Sequence, residues 1–101
     1  MKISLAQLLD RFPLPATEQW PDGVFAAEAI SHGTMSLEVF APRGTDHQRP
    51  HLQDELYIVV SGRAAFWREG QTDDVAAGDA LFVRAGQDHR FTDMSDDFVT
   101  W

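Results

Sequence analysis

Apolar residues at Leu5, Leu8, Leu9 and Phe12 follow the i, i+3, i+4, i+7 spacing of one helix face. Ser4 stands ahead of this stripe and Gln7 lies three residues further on, as in a capping box. Pro13 ends the pattern, because the residue before a proline is driven toward extended geometry. The spacing predicts a short amphipathic helix over 4–12, its apolar face docked on its own domain or on a partner chain.

After Pro21-Asp22-Gly23 the period changes to two. The stretch from Thr34 to Phe40 alternates, with Met35, Leu37 and Val39 on one face, and Val24 to Ile30 is a weaker run of the same kind. Ser31-His32-Gly33 reads as the hairpin turn between them. Further short β-runs are expected at 55–60, 63–68, 80–83, 90–92 and 98–101, separated by glycine-bearing turns, while Asp73-Asp74 and Asp96-Asp97 read as solvated turns. Leu56, Ile58 and Val60 line one face of the 55–60 run, opposite Tyr57 and Val59, so this strand is expected to be central and buried on both sides. The final run is apolar with no tail, so either it is a sheet edge or the natural chain continues past Trp101. Seven or eight close-spaced strands and one short helix predict an all-β fold, an antiparallel barrel or jelly roll. Residues 1–23 form the helix and a linker, and 24–101 the barrel domain.

Composition narrows the function. The 101 residues carry 16 acids against 8 bases, a formal charge of −8, and the bases form no run. Phosphate binding needs clustered positive charge, so no nucleic-acid partner is expected. No apolar stretch approaches membrane-spanning length, so no membrane partner is expected either, and no leader pattern is visible at the start. A cytoplasmic location is the default. There are no cysteines, which excludes disulfides, iron–sulfur clusters and thiolate chemistry and leaves nitrogen and oxygen as the only metal donors. Neither a Gly-x-Ser-x-Gly elbow nor a glycine-rich phosphate loop is present.

Three of the four histidines lie near acids, His47 and His51 in the 44–55 stretch and His89 after Asp88. Residues four apart in a strand share a face, so His51 and Glu55 point the same way. A carboxylate on a buried strand is costly unless it is paired or ligates a metal. With a third ligand, this pair makes a two-histidine, one-carboxylate set with open positions.

Two segments carry a resemblance to the cupin superfamily. PHLQDELYIVVSG supplies His51, Glu55 and the closing Gly62 of a first motif that begins at Gly44. GDALFVRAGQDHRF supplies Gly78, Gly86 and His89 of a second, and DDFVTW completes the likeness to small single-domain cupins. The resemblance, covering about 24–101, implies a double-stranded β-helix, or jelly-roll barrel, and a metal inside it. The first-histidine position holds Arg49, the turn proline is replaced by Arg84, and Asp93 stands where asparagine often closes the second motif. What the resemblance carries over is His51, Glu55 and His89 as ligands of a divalent ion, with iron, manganese, nickel and zinc all open. His47, two residues before Arg49 and facing the same way on a regular strand, is a candidate fourth ligand, with Gln48 an oxygen-donor alternative if the backbone bulges there. Arg49, Tyr57 and Gln48 are candidate substrate contacts, although Arg49 also fits an ion pair with Asp46 or Asp54.

The resemblance implies metal-dependent chemistry of dioxygenase or isomerase type on a small polar or anionic molecule. The alternative is a non-catalytic small-molecule-binding or regulatory cupin, and whether there is turnover stays open. Without a metal, His51 and His89 would simply bond Glu55 or cap a turn, and Glu55 would pair with Arg49 or Arg90. A homodimer is expected, built on an N-terminal edge strand bearing Phe25, Met35 and Phe40.

Overall fold

The computed structural model describes residues 1–101. One helix, α1 (Leu5–Leu9), precedes eight strands: β1 (Ala26–His32), β2 (Met35–Phe40), β3 (Glu55–Ser61), β4 (Arg63–Arg68), β5 (Gln71–Ala76), β6 (Ala80–Val83), β7 (His89–Thr92) and β8 (Val99–Thr100). They form a five-stranded sheet ordered β1-β2-β8-β3-β6 and a three-stranded sheet ordered β5-β4-β7. Every pairing is antiparallel. This is the all-β jelly-roll arrangement, with a short helix on its outside. No helix is long and apolar enough to cross a membrane.

Strand alternation sorts the side chains. Phe40, Tyr57, Val59, Ala64, Phe66, Val75, Val83, Phe91 and Phe98 point inward and make the main core. Its centre is aromatic: Phe91 has ring centroids at 4.9 Å from both Phe66 and Phe98 and stands edge-on to Tyr57 at 5.2 Å. The first two pairs are tilted and the third edge-to-face, all at favourable separations.

On the outer face of the larger sheet, Ala27, Val39, Ala41 and Val99 form a second cluster. Leu5, Leu8, Leu9 and Phe12 pack against it, so the amphipathic helix docks on its own barrel. The Ser4 hydroxyl accepts from the Gln7 N–H at 3.3 Å, capping a helix one turn shorter than the apolar stripe.

Gly62 closes the β3–β4 turn with φ at 73°. A side chain there would put Cβ 2.7 Å from Phe98 Cα and 2.5 Å from Ser95 Oγ. The motif glycine is thus required both by backbone conformation and by the close approach of the segment leading into β8.

Four expectations need correction. β3 is central but covered on one side only: Leu56, Ile58 and Val60, with Phe82 of β6, face outward and are exposed. The terminal strand is not an edge, since β8 lies between β2 and β3. Of the three side chains assigned to an exposed N-terminal edge, Phe40 is in the core and Phe25 packs edge-on against Phe12, leaving Met35 exposed. Asp73-Asp74 is not a turn but the middle of β5, paired along its length with β4.

Candidate metal centre

Each sheet sends side chains into one end of the barrel. From the larger sheet come Glu55 and Tyr57, at the start of β3; from the smaller comes His89, the first residue of β7. His51 and Gln48 arrive from the irregular segment ahead of β3. Two bonds pin the segments together. Gly86 N–H donates to the His51 carbonyl at 2.7 Å, and Ala85 N–H donates to Asp54 Oδ1 at 2.8 Å. The turn leading to His89 is therefore held directly against the backbone carrying His51.

The resulting group is tight. His51 Nε2 lies 3.3 Å from Glu55 Oε1, and His89 Nε2 lies 3.2 Å from Glu55 Oε2. One ligand atom from each of His51, Glu55 and His89 falls within 4.8 Å of the others. Donor spacings a little over 3 Å are what ligand bonds of about 2.0–2.2 Å to a common ion produce.

His89 is oriented for this purpose. Its Nδ1 lies 2.7 Å from the Gln87 carbonyl, to which it donates, so Nε2 faces the centre. That outer bond is the usual companion of a metal-ligating histidine. The group is graded in exposure: the His89 side chain is 1% exposed, Glu55 25% and His51 42%. His51 marks the open side.

The electrostatics bind the group together. Burial works to raise the Glu55 pKa, but hydrogen bonds from His89 and Tyr57 and the nearby His51 outweigh it, and the carboxyl sits below its ordinary value. Burial works to lower the His89 pKa, but the bonds to Glu55 and to the Gln87 carbonyl outweigh it, and the imidazole sits above its ordinary value. Tyr57 is pushed well up, first by burial and then by the Glu55 charge, so it stays a phenol. Its hydroxyl lies 2.8 Å from Glu55 Oε2, 3.0 Å from Gln48 Oε1 and 3.1 Å from His89 Nε2.

The remaining site expectations fall out as follows. His47 does not join the group; its exposed ring packs edge-on against Trp20 with centroids 5.6 Å apart. Gln48 instead turns inward, its Oε1 3.2 Å from His51 Nε2. Arg49 is exposed and pairs with neither Asp46, which binds Gln48 and Phe91, nor Asp54, which binds Ala85. Arg90 bonds Asp88 and lies over the Trp67 ring, leaving Glu55 to the histidines.

Glu38 on β2 was missed. Although the residue is exposed, its carboxyl is pushed up by partial desolvation and then by the Glu55 charge.

The cupin domain family matches residues 36–101 of this chain. The chain belongs to the cupin family. A protein of Streptomyces coelicolor described as uncharacterized is 51% identical to this cupin over 78 residues, covering 75% of this chain and 73% of its own. No solved structure matches. The cupin fold and the His51–Glu55–His89 group are together compatible with a bound metal ion.

Proposed function

We propose that this cupin holds a divalent metal between His51, Glu55 and His89 and uses it on a small polar or anionic molecule that enters past His51. The observation that supports this is the convergence of two imidazole nitrogens and one carboxylate, from two separated chain segments, within 4.8 Å. An isolated buried histidine has no need of such company. The donors suit iron, manganese, nickel or zinc.

A bound ion there supplies Lewis-acid polarisation of a substrate oxygen and, if it is iron, dioxygen chemistry of the dioxygenase type. The side chains do the rest. Glu55 offsets the ion's charge at a half-buried position, and the Gln87 carbonyl holds the His89 ring in place. Tyr57 keeps its proton and uses it to hold the Glu55 carboxylate, 2.8 Å away. The half-exposed His51 leaves that side of the group in contact with solvent.

One observation favours a second reading, a ligand-binding cupin that works without metal. Every buried side-chain nitrogen and oxygen already has a hydrogen-bond partner, so the group is satisfied as a closed network.

The test is elemental analysis of protein purified at neutral pH without chelators, then titration with Fe2+, Mn2+, Ni2+ and Zn2+. The metal reading expects near-stoichiometric binding that His51→Ala and Glu55→Ala each abolish. Unchanged metal content in both variants, or none in the wild type, overturns it. Oxygen uptake by the loaded protein with candidate organic acids and sugars then separates catalysis from binding.

A further inference from the structure

We infer that Gln48 supplies a fourth, amide-oxygen donor to this centre, and that the buried carboxylate of Asp46 is the positioning residue that aims it. The inference rests on the metal-centre reading above and specifies its donor set.

Residues 41–54 lie in no strand, so no sheet ladder dictates which side chains face inward. Buried contacts decide instead. Asp46 is only 4% exposed. It accepts from the Gln48 N–H at 3.0 Å, from Gln48 Nε2 at 2.5 Å and from the Phe91 N–H at 2.8 Å. Phe91 follows His89 by two residues on β7, so this carboxylate fastens the loop to the strand that carries a metal ligand.

The same contact orients the amide. The end of the Gln48 side chain that meets Asp46 is the NH2 group, which donates to Oδ2. The oxygen then points the other way, and Oε1 lies 3.2 Å from His51 Nε2 and 3.0 Å from the Tyr57 hydroxyl. The spacing to His51 Nε2 matches those of 3.3 and 3.2 Å that the two imidazoles keep from the Glu55 carboxylate. Gln48 thereby adds an oxygen beside His51, where neither Arg49 nor His47 reaches.

Two nitrogens and two oxygens form a harder donor set than three nitrogens and one oxygen. Harder sets favour manganese and ferrous iron over zinc, relative to an imidazole-rich site.

The experiment measures Mn2+ and Zn2+ affinities by calorimetric titration for wild type, Q48A, Q48H, D46N, D46N/Q48A and H51A. Q48A is expected to weaken Mn2+ by about tenfold or more, and Q48H to restore binding while raising the zinc-to-manganese affinity ratio. D46N is expected to weaken Mn2+ by about 10–100-fold, the usual effect of losing an outer-shell partner. It should weaken Zn2+ less, and add little on the Q48A background, because Asp46 acts through Gln48. A merely structural Asp46 would weaken both ions alike and add to Q48A.

If D46N does not fold, the wild-type chain still reports. Its Gln48 side-chain amide protons should be displaced from solvent-exposed shifts and slow to exchange in NMR spectra, and a solvent-like pair overturns the aimed amide. Equal affinities and ratios for wild type and Q48A overturn Gln48 as a ligand. Failure of the wild type to bind either ion overturns the centre itself, and H51A, which loses binding whatever Gln48 does, keeps the two failures distinguishable.

Discussion

Replacing Tyr57 with phenylalanine isolates one hydroxyl at the heart of the site. The ring stays, so its contacts with Phe66 at 6.0 Å and Phe91 at 5.2 Å are preserved. What disappears is the O–H that sits 2.8 Å from Glu55 Oε2 and 3.0 Å from Gln48 Oε1. It carries a single proton, so one bond is lost and not two. A hydrogen bond to a charged group contributes about 1.5–3 kcal/mol. Glu55 keeps its histidine partners and some access to water, so the low end applies, about 1.5–2 kcal/mol. For a domain of this size that corresponds to a drop in Tm of about 6–16 °C. The assay is thermal or urea unfolding of the metal-free protein at neutral pH, with the Glu55→Gln and double variants alongside. The hydroxyl acts on the carboxylate, so the double variant should lose clearly less than the sum of the two single losses. A Tyr57→Phe protein within about 0.5 kcal/mol of wild type, or fully additive losses, would refute the assignment of this hydroxyl as the donor that holds the site together.

Three further outcomes follow from the packing and the charges. Phe91→Ala opens a cavity where four aromatic rings meet and should cost about 3–5 kcal/mol in denaturant unfolding; a loss under about 1.5 kcal/mol would mean that the core collapses around the gap. The pH response should have opposite signs with and without metal. His89 has a raised pKa, so its contribution to the metal-free fold is complete below the ordinary histidine value and fades as pH rises through the raised one. Glu55, with a lowered pKa, contributes above the ordinary carboxylate value and fades as pH falls through the lowered one. Metal-free Tm should therefore be highest on the acid side of neutrality, whereas metal affinity should climb with pH as the His89 proton is displaced. A metal affinity that is flat from mildly acid to mildly alkaline pH would exclude His89 as a ligand. Finally, the exposed stripe of Leu56 (63%), Ile58 (39%) and Phe82 (54%) is where a second copy would bury apolar surface. Leu56→Lys with Phe82→Lys should leave Tm nearly unchanged in dilute protein while lowering the mass measured by light scattering at higher concentration; an unchanged mass would refute this stripe as a self-association surface.

How much of this was legible beforehand depended on whether a ladder of backbone hydrogen bonds governed the segment. Within the strands, alternation worked: Glu55, Tyr57 and Val59 share the inward face of β3, and His89 opens β7 on the inward side. His51 and His89 were brought together by motif spacing and a turn whose Gly86 reaches the His51 carbonyl. Extrapolating the same alternation back from His51 selected Arg49 and His47, and there it failed. No strand exists between Phe40 and Glu55, so the inward side chain is chosen by a buried carboxylate, Asp46, whose partners lie two and 45 residues away. An acid in a loop reads as solvated, and only its tertiary contacts make it an anchor. The same limit concealed β5, where Asp73 and Asp74 have poor strand propensity and only Val75 is buried; pairing with β4 overrides the local preference. The outward face of β3 shows the converse. Leu56, Ile58 and Val60 look like a second core in the sequence because hydrophobicity records that a surface is to be covered but not by what. The helix took up the cover over Val39 and Val99 and stopped short of Ile58, so the residues it leaves bare carry the question of self-association.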